Sequence, residues 1–449
     1  MSGSDDISLN YRLTTFGCKV NTYDSGLLEK YLQENGFTPD GVPRVHILNS
    51  CAVTAEATRE VIRQARRIKR DDPESFVVVT GCSAQVDTEK LESCASVDLI
   101  VANSHKSRLS QILRERMLNK GKLGPQSGGG NNLSRVFKSN IFKQAELGAG
   151  GGLESGHTRA FLKIQDGCNS FCTFCVIPFA RGKSRSLPIE DLRRRVNELL
   201  ADGVREVVLT GVHIGDYEFG LENLVEDLLL RTRVPRLRLT SLEPVELSDR
   251  LFELFADPRL CPHFHMSIQS ASTPVLARMK RKYTKDDVVK ALHNISRRVP
   301  EAFVGMDVIV GFPGEGEEEF SETYQHLNEA PWTRIHVFPY SERPGTYATR
   351  LDRKLAQPVI VRRAQKLREL SQERFLAKAR EQIGAVKKAL ILKNERGLAR
   401  DYWTIDLNGA ADRLGGREVP VKVTAFSSKP SEIEPLLTGE IIQYPSAAT

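Results

Sequence analysis

No run in this 449-residue chain approaches the 18 consecutive apolar residues that a membrane-spanning helix needs. Its first ten residues, Met1 to Asn10, are polar and acidic and lack the apolar core of a secretory signal. A soluble cytoplasmic protein without a membrane partner is the expectation. Cysteine is scarce as well: eight thiols are too few for a disulfide scaffold, though ample for metal chemistry. A large charge of either sign is also missing. A net charge of +7 permits nucleic-acid binding without demanding it. The basic runs Arg193-Arg194-Arg195 and Lys280-Arg281-Lys282 are either phosphate contacts or solvated helix faces. The length excludes a single ordinary core and argues for about three domains.

The most telling absence is a fourth ligand. Cys168, Cys172 and Cys175 stand in Gly167-Cys-Asn-Ser-Phe-Cys-Thr-Phe-Cys175, a C-x3-C-x2-C run with no fourth cysteine and no histidine nearby in the chain. Structural zinc is closed by four protein ligands, and the next candidates, His157 and His213, are far off along the sequence. A four-iron cube held by three thiolates keeps one iron open.

A second set of three is spread through the N-terminal region. Tyr11 to Gly17, Arg44 to Ser50 and Ser75 to Gly81 are short β-rich runs, each ending in a small residue and followed at once by Cys18, Cys51 or Cys82. Helical patterns over Ser25 to Glu34 and Glu56 to Lys69 make βα units and therefore a parallel sheet. All three cysteines then fall on the carboxyl edge of one sheet, where open α/β folds place ligands. That suits a second cluster with an open iron; three buried core thiols are the alternative. Cys94 and Cys261 read as ordinary core or loop thiols.

Residues 120–156 are rich in glycine, serine and asparagine, the composition of a flexible connector, with one short ordered segment expected around Arg135 to Phe142. Beyond it, strand-like runs recur at Ala160 to Gln165, Glu206 to Thr210, Arg236 to Thr240, His263 to Ile268, Phe303 to Val310 and Arg334 to Phe338, with helices between. Six βα repeats predict a partial barrel, and the polar, glycine-rich stretches after the strands predict where its chemistry lies. A charged helix over Gln357 to Gln382 leads to β-like runs at Val386 to Leu392, Tyr402 to Leu407, Glu418 to Ala425 and Gly439 to Gln443, a small β-barrel. The expected fold is α/β, with domains at 9–119, 157–380 and 381–445 and a linker at 120–156.

Taken together, these motifs make the chain resemble the methylthiotransferase group of radical S-adenosylmethionine (SAM) enzymes: an N-terminal cluster domain, a radical SAM core and a terminal TRAM barrel. Thr15-Phe-Gly-Cys-Lys-Val-Asn21, Lys163-Ile-Gln-Asp-Gly-Cys168, Thr210-Gly-Val-His-Ile-Gly215 and His336-Val-Phe-Pro-Tyr-Ser341 are similar to the branch acting on threonylcarbamoyladenosine in tRNA. The isopentenyladenosine branch typically has Gly-Cys-Gln-Met-Asn where this chain has Gly17-Cys-Lys-Val-Asn21.

The resemblance implies transfer of a methylthio group to carbon 2 of threonylcarbamoyladenosine (t6A) at tRNA position 37, with an electron donor and a sulfur donor as further partners. It implies two 4Fe-4S clusters and SAM: Cys168, Cys172 and Cys175 hold the SAM-chelated cluster, and Cys18, Cys51 and Cys82 an auxiliary cluster whose open iron carries the sulfur. Phe174, Gly211, Glu243, Gln269 and Gly311 are the implied SAM contacts, and His213 and Tyr340 face the base. Two rival readings stand beside it: a methylthiotransferase acting on isopentenyladenosine or on an aspartate of a ribosomal protein, and a zinc-stabilised RNA-binding protein without catalysis.

Overall fold

The computed structural model describes residues 9–119, 134–144, 147, 148, 151, 158–392, 396–409, 414–427 and 436–442. Its N-terminal unit is a sheet of five parallel strands in sequential order: β1 (Tyr11–Thr15), β2 (Val45–Ser50), β3 (Phe76–Gly81), β4 (Leu99–Ala102) and β5 (Val136–Phe137). Runs such as Val77-Val-Val79 are buried because helices cover both faces, as parallel sheets require. The helix expected from Ser25 starts earlier, at Lys19, with Cys18 as its N-cap. Its first turns bury Asn21, Asp24 and Ser25, so the polar residues hide the helical period from the sequence.

β5 comes from the stretch read as a connector. It pairs with β4 as an edge strand, and Arg135 anchors it by donating to the carbonyl oxygens of Glu92 (3.0 Å) and Cys94 (2.7 Å). Residues 120–133 and 152–157, including His157, lie outside the described residues. Cys94 and Cys261 are buried.

β6 (Arg159–Asp166), β7 (Arg185–Ser186), β8 (Glu206–Gly211) and β9 (Leu237–Arg238) form one sheet, in which only β7 is antiparallel. β10 (His263–Gln269), β11 (Phe303–Val310) and β12 (Arg334–Pro339) form another, and the bridges Leu237 to Leu260 and Leu242 to Met266 join the two. Six parallel strands wrapped by helices make the expected partial barrel, closed over a large aliphatic core.

The helix Gln357–Arg380 packs against β12 and delivers the chain to β13 (Val386–Ile391), β14 (Arg396–Ala399), β15 (Thr404–Asp406), β16 (Glu418–Ser427) and β17 (Leu436–Ile441), a closed five-stranded barrel. β14 is one strand more than the sequence suggested: four residues, one a glycine, are too short to show an alternating period. The expected C-terminal limit, 443–445, lies outside the described residues. This small barrel caps the strand-start end of the partial barrel. Arg236 donates to Glu418 (2.6 Å) and to the Leu398 carbonyl (3.0 Å), Arg236 and Arg238 share the fully buried Glu206, and Tyr402 stacks on His263 at 4.0 Å. No helix among the described residues is long and apolar enough to cross a membrane.

Candidate functional site

The register of the first sheet brings Cys18, Cys51 and Cys82 together. Ser50 pairs with Gly81, so the next residues, Cys51 and Cys82, leave neighbouring strands at one level. Gly17 has a φ of +92°, and a Cβ there would lie 2.7 Å from the sulfur of Cys51; only glycine lets the Cys18 turn close on its neighbour. Asn21 then ties the loops by donating to the carbonyl oxygens of Phe16 and Ser50, both at 2.8 Å. The Ser83 hydroxyl donates to the Cys51 carbonyl. The thiols feel one another: burial, then the Cys82 and Cys18 sulfurs, push Cys51 up to about 12. A cation is the natural remedy for buried thiols in such contact, because metal binding removes their protons. Asn103 adds a donor 3.7 Å from the Cys82 sulfur.

Cys168, Cys172 and Cys175 line the loop after β6. Burial, followed by the Cys172 and Cys168 sulfurs, pushes Cys175 up to about 12, so this triplet too is in mutual electrostatic contact. Arg281 Nη1 donates to the Cys172 sulfur at 3.1 Å, and the Ser170 N–H to the Cys168 sulfur at 3.4 Å. The fold also delivers His213 to Cys168, although the two are remote in sequence. Both ring nitrogens of His213 are engaged, however, Nε2 with Glu246 at 2.5 Å and Nδ1 with Ser170 Oγ at 3.4 Å. An imidazole held in that way is not a free fourth ligand, so the donor set is three soft sulfurs with hydrogen-bond donors on them, which fits an iron-sulfur cube better than closed zinc.

One contact joins the two triplets. Val176, next to Cys175, packs with Ala180, Ala52 and Cys82 in a single apolar cluster, so the segment leaving one cysteine loop is the wall of the other. Beside it lies a buried charge cluster. Asp24 accepts from Lys106 (3.1 Å), Lys163 (2.6 Å) and Arg181 (3.1 Å), while Asp166 accepts from Lys163 (2.9 Å) and Arg181 (3.0 Å). Despite burial, these cations hold both carboxyls below their usual range, Asp166 at about 2. Lys163 and Asp166 come from the motif around Cys168, and Asp24 from the helix that follows Cys18, so the motif residues dock one domain on the other.

The remaining predicted residues gather on the strand-end rim. Gly211 ends β8, where a Cβ would meet the Gln165 carbonyl at 3.0 Å. Glu243 follows β9 and is held by Arg281 at 2.8 Å, with His213 at 3.4 Å. Gln269 ends β10 at a φ of +62°. Gly311 follows β11 at a φ of +77°, donating its N–H to Glu315 Oε2 at 2.6 Å, and Ile360 fills the space its side chain would need. Phe174 and Tyr340 both pack edge-on to Phe312, at 6.3 and 5.3 Å. Sequence reasoning missed Arg281, which sat in a basic run read as phosphate contact or solvated surface. Its side chain is 7% exposed and spent on Cys172 and Glu243. The other run is spent locally: Arg193 pairs with Asp227, Arg194 with Asp191 and Arg195 with Glu198.

Comparison with known proteins agrees with this layout. A family model described as the radical SAM superfamily matches residues 162–327, and one described as an uncharacterized protein family, UPF0004, matches residues 10–102. The threonylcarbamoyladenosine tRNA methylthiotransferase MtaB of Aquifex aeolicus is 35% identical over 404 residues, covering 88% of this chain and 96% of that one. Its namesake in Bacillus subtilis is 32% identical over 430 residues, 91% and 92% of the two chains. A tRNA-2-methylthio-N(6)-dimethylallyladenosine synthase of Desulfotalea psychrophila is 31% identical over 401 residues, 85% and 88%. Among solved structures, the radical S-adenosylmethionine methyltransferase TsrM of Kitasatospora setae, with cobalamin and a 4Fe-4S cluster bound, is similar in fold, with a TM-score of 0.52 at 16% identity over 74% of this chain and 75% of that one. A 4Fe-4S cluster and SAM are the cofactors that such a family implies. Three sulfurs on a partial-barrel rim, a cysteine-bearing sheet docked beside them and this identity along nearly the whole length lead to one conclusion: the chain belongs to the radical SAM methylthiotransferase family.

Proposed function

We propose that this enzyme attaches a methylthio group to carbon 2 of t6A at position 37 of tRNA, with the SAM-chelated cluster on Cys168, Cys172 and Cys175 and an auxiliary cluster on Cys18, Cys51 and Cys82. The observation that carries the reading is the packing of Val176 against Cys82, which makes the two thiol triplets neighbours. Carbon 2 of a purine has no leaving group and no acidic proton, so acid/base catalysis has little to act on there. When bound, the clusters and SAM supply an electron, a carbon radical and sulfur.

The chain's own residues supply position and electrostatics. Arg281 donates to the Cys172 sulfur, and Asn103 to that of Cys82; such hydrogen bonds stabilise anionic sulfur and tune a cluster's potential. Glu243, fixed by Arg281, offers a carboxylate to the amino end of SAM, and Gly211, Gln269 and Gly311 let the backbone approach it. Phe174, packed edge-on to Phe312, is our candidate for flanking the adenine.

RNA has a suitable landing surface. A groove of about 590 Å³ beside Cys172 and Cys175 is bounded by the exposed rings of Phe171, Phe179 and Tyr347 and by Lys280 and Arg350. Aromatic faces interleaved with cations are how single-stranded bases are held without regard to sequence. Replacing all three rings by alanine is expected to weaken binding of an anticodon stem-loop by about 1–3 kcal/mol for each base unstacked. Fluorescence anisotropy at fixed salt measures it, and iron content should not change.

Relatives named for t6A and for dimethylallyladenosine both match, so the nucleoside decides between them. Mass spectrometry of tRNA from a strain lacking this enzyme should show t6A without its methylthio form. Persistence of the methylthio form would overturn the assignment, and loss of methylthio-isopentenyladenosine instead would transfer it to the other base.

A further inference from the structure

The loop that leaves β12, Tyr340 to Ala348, touches the surroundings of both thiol triplets. At its start the Ser341 hydroxyl accepts from the N–H of Ala55, on the segment that follows Cys51, at 3.4 Å. Arg343 Nη2 donates to Asp87 Oδ2 at 2.5 Å, and Asp87 is the C-cap of the short helix Cys82–Val86. At the far end the N–H of Ala348 donates to the Thr173 carbonyl, between Cys172 and Cys175, at 2.8 Å. Thr173 is held in turn, its hydroxyl donating to the Arg278 carbonyl at 2.8 Å. One short segment thus spans both sites.

Arg343 makes the charged contact of this segment. Its side chain is 1% exposed and that of Asp87 4%. The same Asp87 oxygen accepts from the Thr58 hydroxyl at 2.6 Å, Thr58 Oγ1 lies 3.2 Å from Ser83 Oγ, and the Ser83 hydroxyl donates to the Cys51 carbonyl. Side chains alone therefore connect Arg343 to the backbone beside Cys51 and Cys82. Within the loop the Arg343 carbonyl accepts from the N–H and the hydroxyl of Thr346, at 3.2 and 2.8 Å, across a turn in which Gly345 has a φ of +85°. Stability does not account for this arrangement. Among the described residues, Nε and Nη1 of Arg343 are buried without partners. A buried ion pair with idle donors is no more stabilising than apolar side chains of the same volume; what it supplies is register between the surfaces that close on it.

We propose that Arg343 is a positioning residue for the transfer of the methylthio group: through Asp87 it fixes where the Cys51 and Cys82 loops sit relative to the loop of Cys172 and Cys175. The inference rests on the two-cluster reading given above. Arg343 bonds to no cysteine; its effect runs through Asp87, Thr58 and Ser83 on one side and through Ala348 and Thr173 on the other. A base that must meet both sites in one turnover is sensitive to their separation, because misplacing reacting groups by about 1 Å can cost a hundredfold. SAM cleavage needs only one of the two sites. Loss of register should therefore separate the two outcomes.

The test is the amount of 5′-deoxyadenosine formed for each methylthiolated nucleoside, measured on the full-length chain after anaerobic reconstitution. Arg343→Met should raise that ratio about tenfold to a hundredfold, with iron still near eight atoms per chain. Asp87→Asn should raise it to the same extent, and the double variant no further, as for two residues that act as a unit. Arg343→Lys should recover most of the coupling, since the pair is a single contact that an ammonium can replace. If the ratio in Arg343→Met stays at the wild-type value, whether or not both products fall together, the pair only holds the fold and the inference fails while the two-cluster reading stands. Iron lost from both Arg343→Met and Arg343→Lys, or a lysine variant coupled no better than the methionine one, overturns it in the same way. A wild type that holds about four irons, or that forms no methylthiolated nucleoside, overturns the two-cluster reading and this inference with it.

Discussion

With Cys18, Cys51 and Cys82 all replaced by alanine, the reconstituted protein will still cleave SAM but will form no methylthiolated nucleoside, and its iron will fall from about eight to about four atoms per chain. The complementary replacement of Cys168, Cys172 and Cys175 will abolish both SAM cleavage and product. The asymmetry follows from the layout: each triplet has its own loops and its own hydrogen-bond donors, Asn103 for one and Arg281 for the other. Alanine is the right probe, since Cys82 packs among Ala52, Val176 and Ala180, and alanine, unlike serine, leaves no oxygen that could still bind iron. Iron analysis, 5′-deoxyadenosine yield and nucleoside mass spectrometry together decide the matter. Iron that stays near eight, or product that persists, would remove the auxiliary cluster. SAM cleavage lost along with the first triplet would mean that the two sites do not hold their clusters independently.

How much of this was legible in the sequence depends on which surface a residue serves. The cysteines were, because a thiol after a strand and a small residue is a local signal, and the parallel register does the rest: Ser50 opposite Gly81 places Cys51 beside Cys82. The strands of both sheets were, because apolar runs report burial in a domain's own core. Contacts between domains leave no such period. Asp24, Lys163, Asp166 and Arg181 are buried because two separately folded surfaces close over them, and each alone reads as a solvated charge. The same blindness hid the start of the helix at Lys19 and left Arg281 in a basic run. Glu206, Arg236 and Arg238 sit at strand starts where only the docked small barrel explains their burial. His213 was set aside as a metal ligand for its distance along the chain, yet the loop after β8 brings it to Cys168.

Asp24→Asn is expected to cost about 3–5 kcal/mol, the range for stripping one partner from a buried ion network. Among the described residues, the carboxylate of Asp24 is the only group that meets all three cations, Lys106, Lys163 and Arg181, and it is buried with them. Neutralising it leaves Lys163 and Arg181 to Asp166 and Lys106 to the amide oxygen of Asn49, at the surface where the cysteine-bearing sheet meets the partial barrel. Removing Arg181 instead leaves two cations against two carboxylates, so Arg181→Met should cost less, and that ordering separates electrostatic balance from simple packing loss. The pH dependence has a definite sign. Both carboxyls are held below their usual range, so the unfolded chain binds protons that the folded one does not. Their contribution is therefore complete above about pH 4, the ordinary carboxyl range, and is lost only as pH falls toward 2 and below. Between pH 6 and pH 8 the deficit of Asp24→Asn, read from urea midpoints against wild type, should then be constant. A deficit that shrinks across that interval would mean Asp24 titrates there and that the cluster does not hold it ionised. One below about 1 kcal/mol would place the pair among weak surface salt bridges, and the docking of the two domains would have to be credited to the apolar contact at Val176 and to the buried Arg343–Asp87 pair at 2.5 Å.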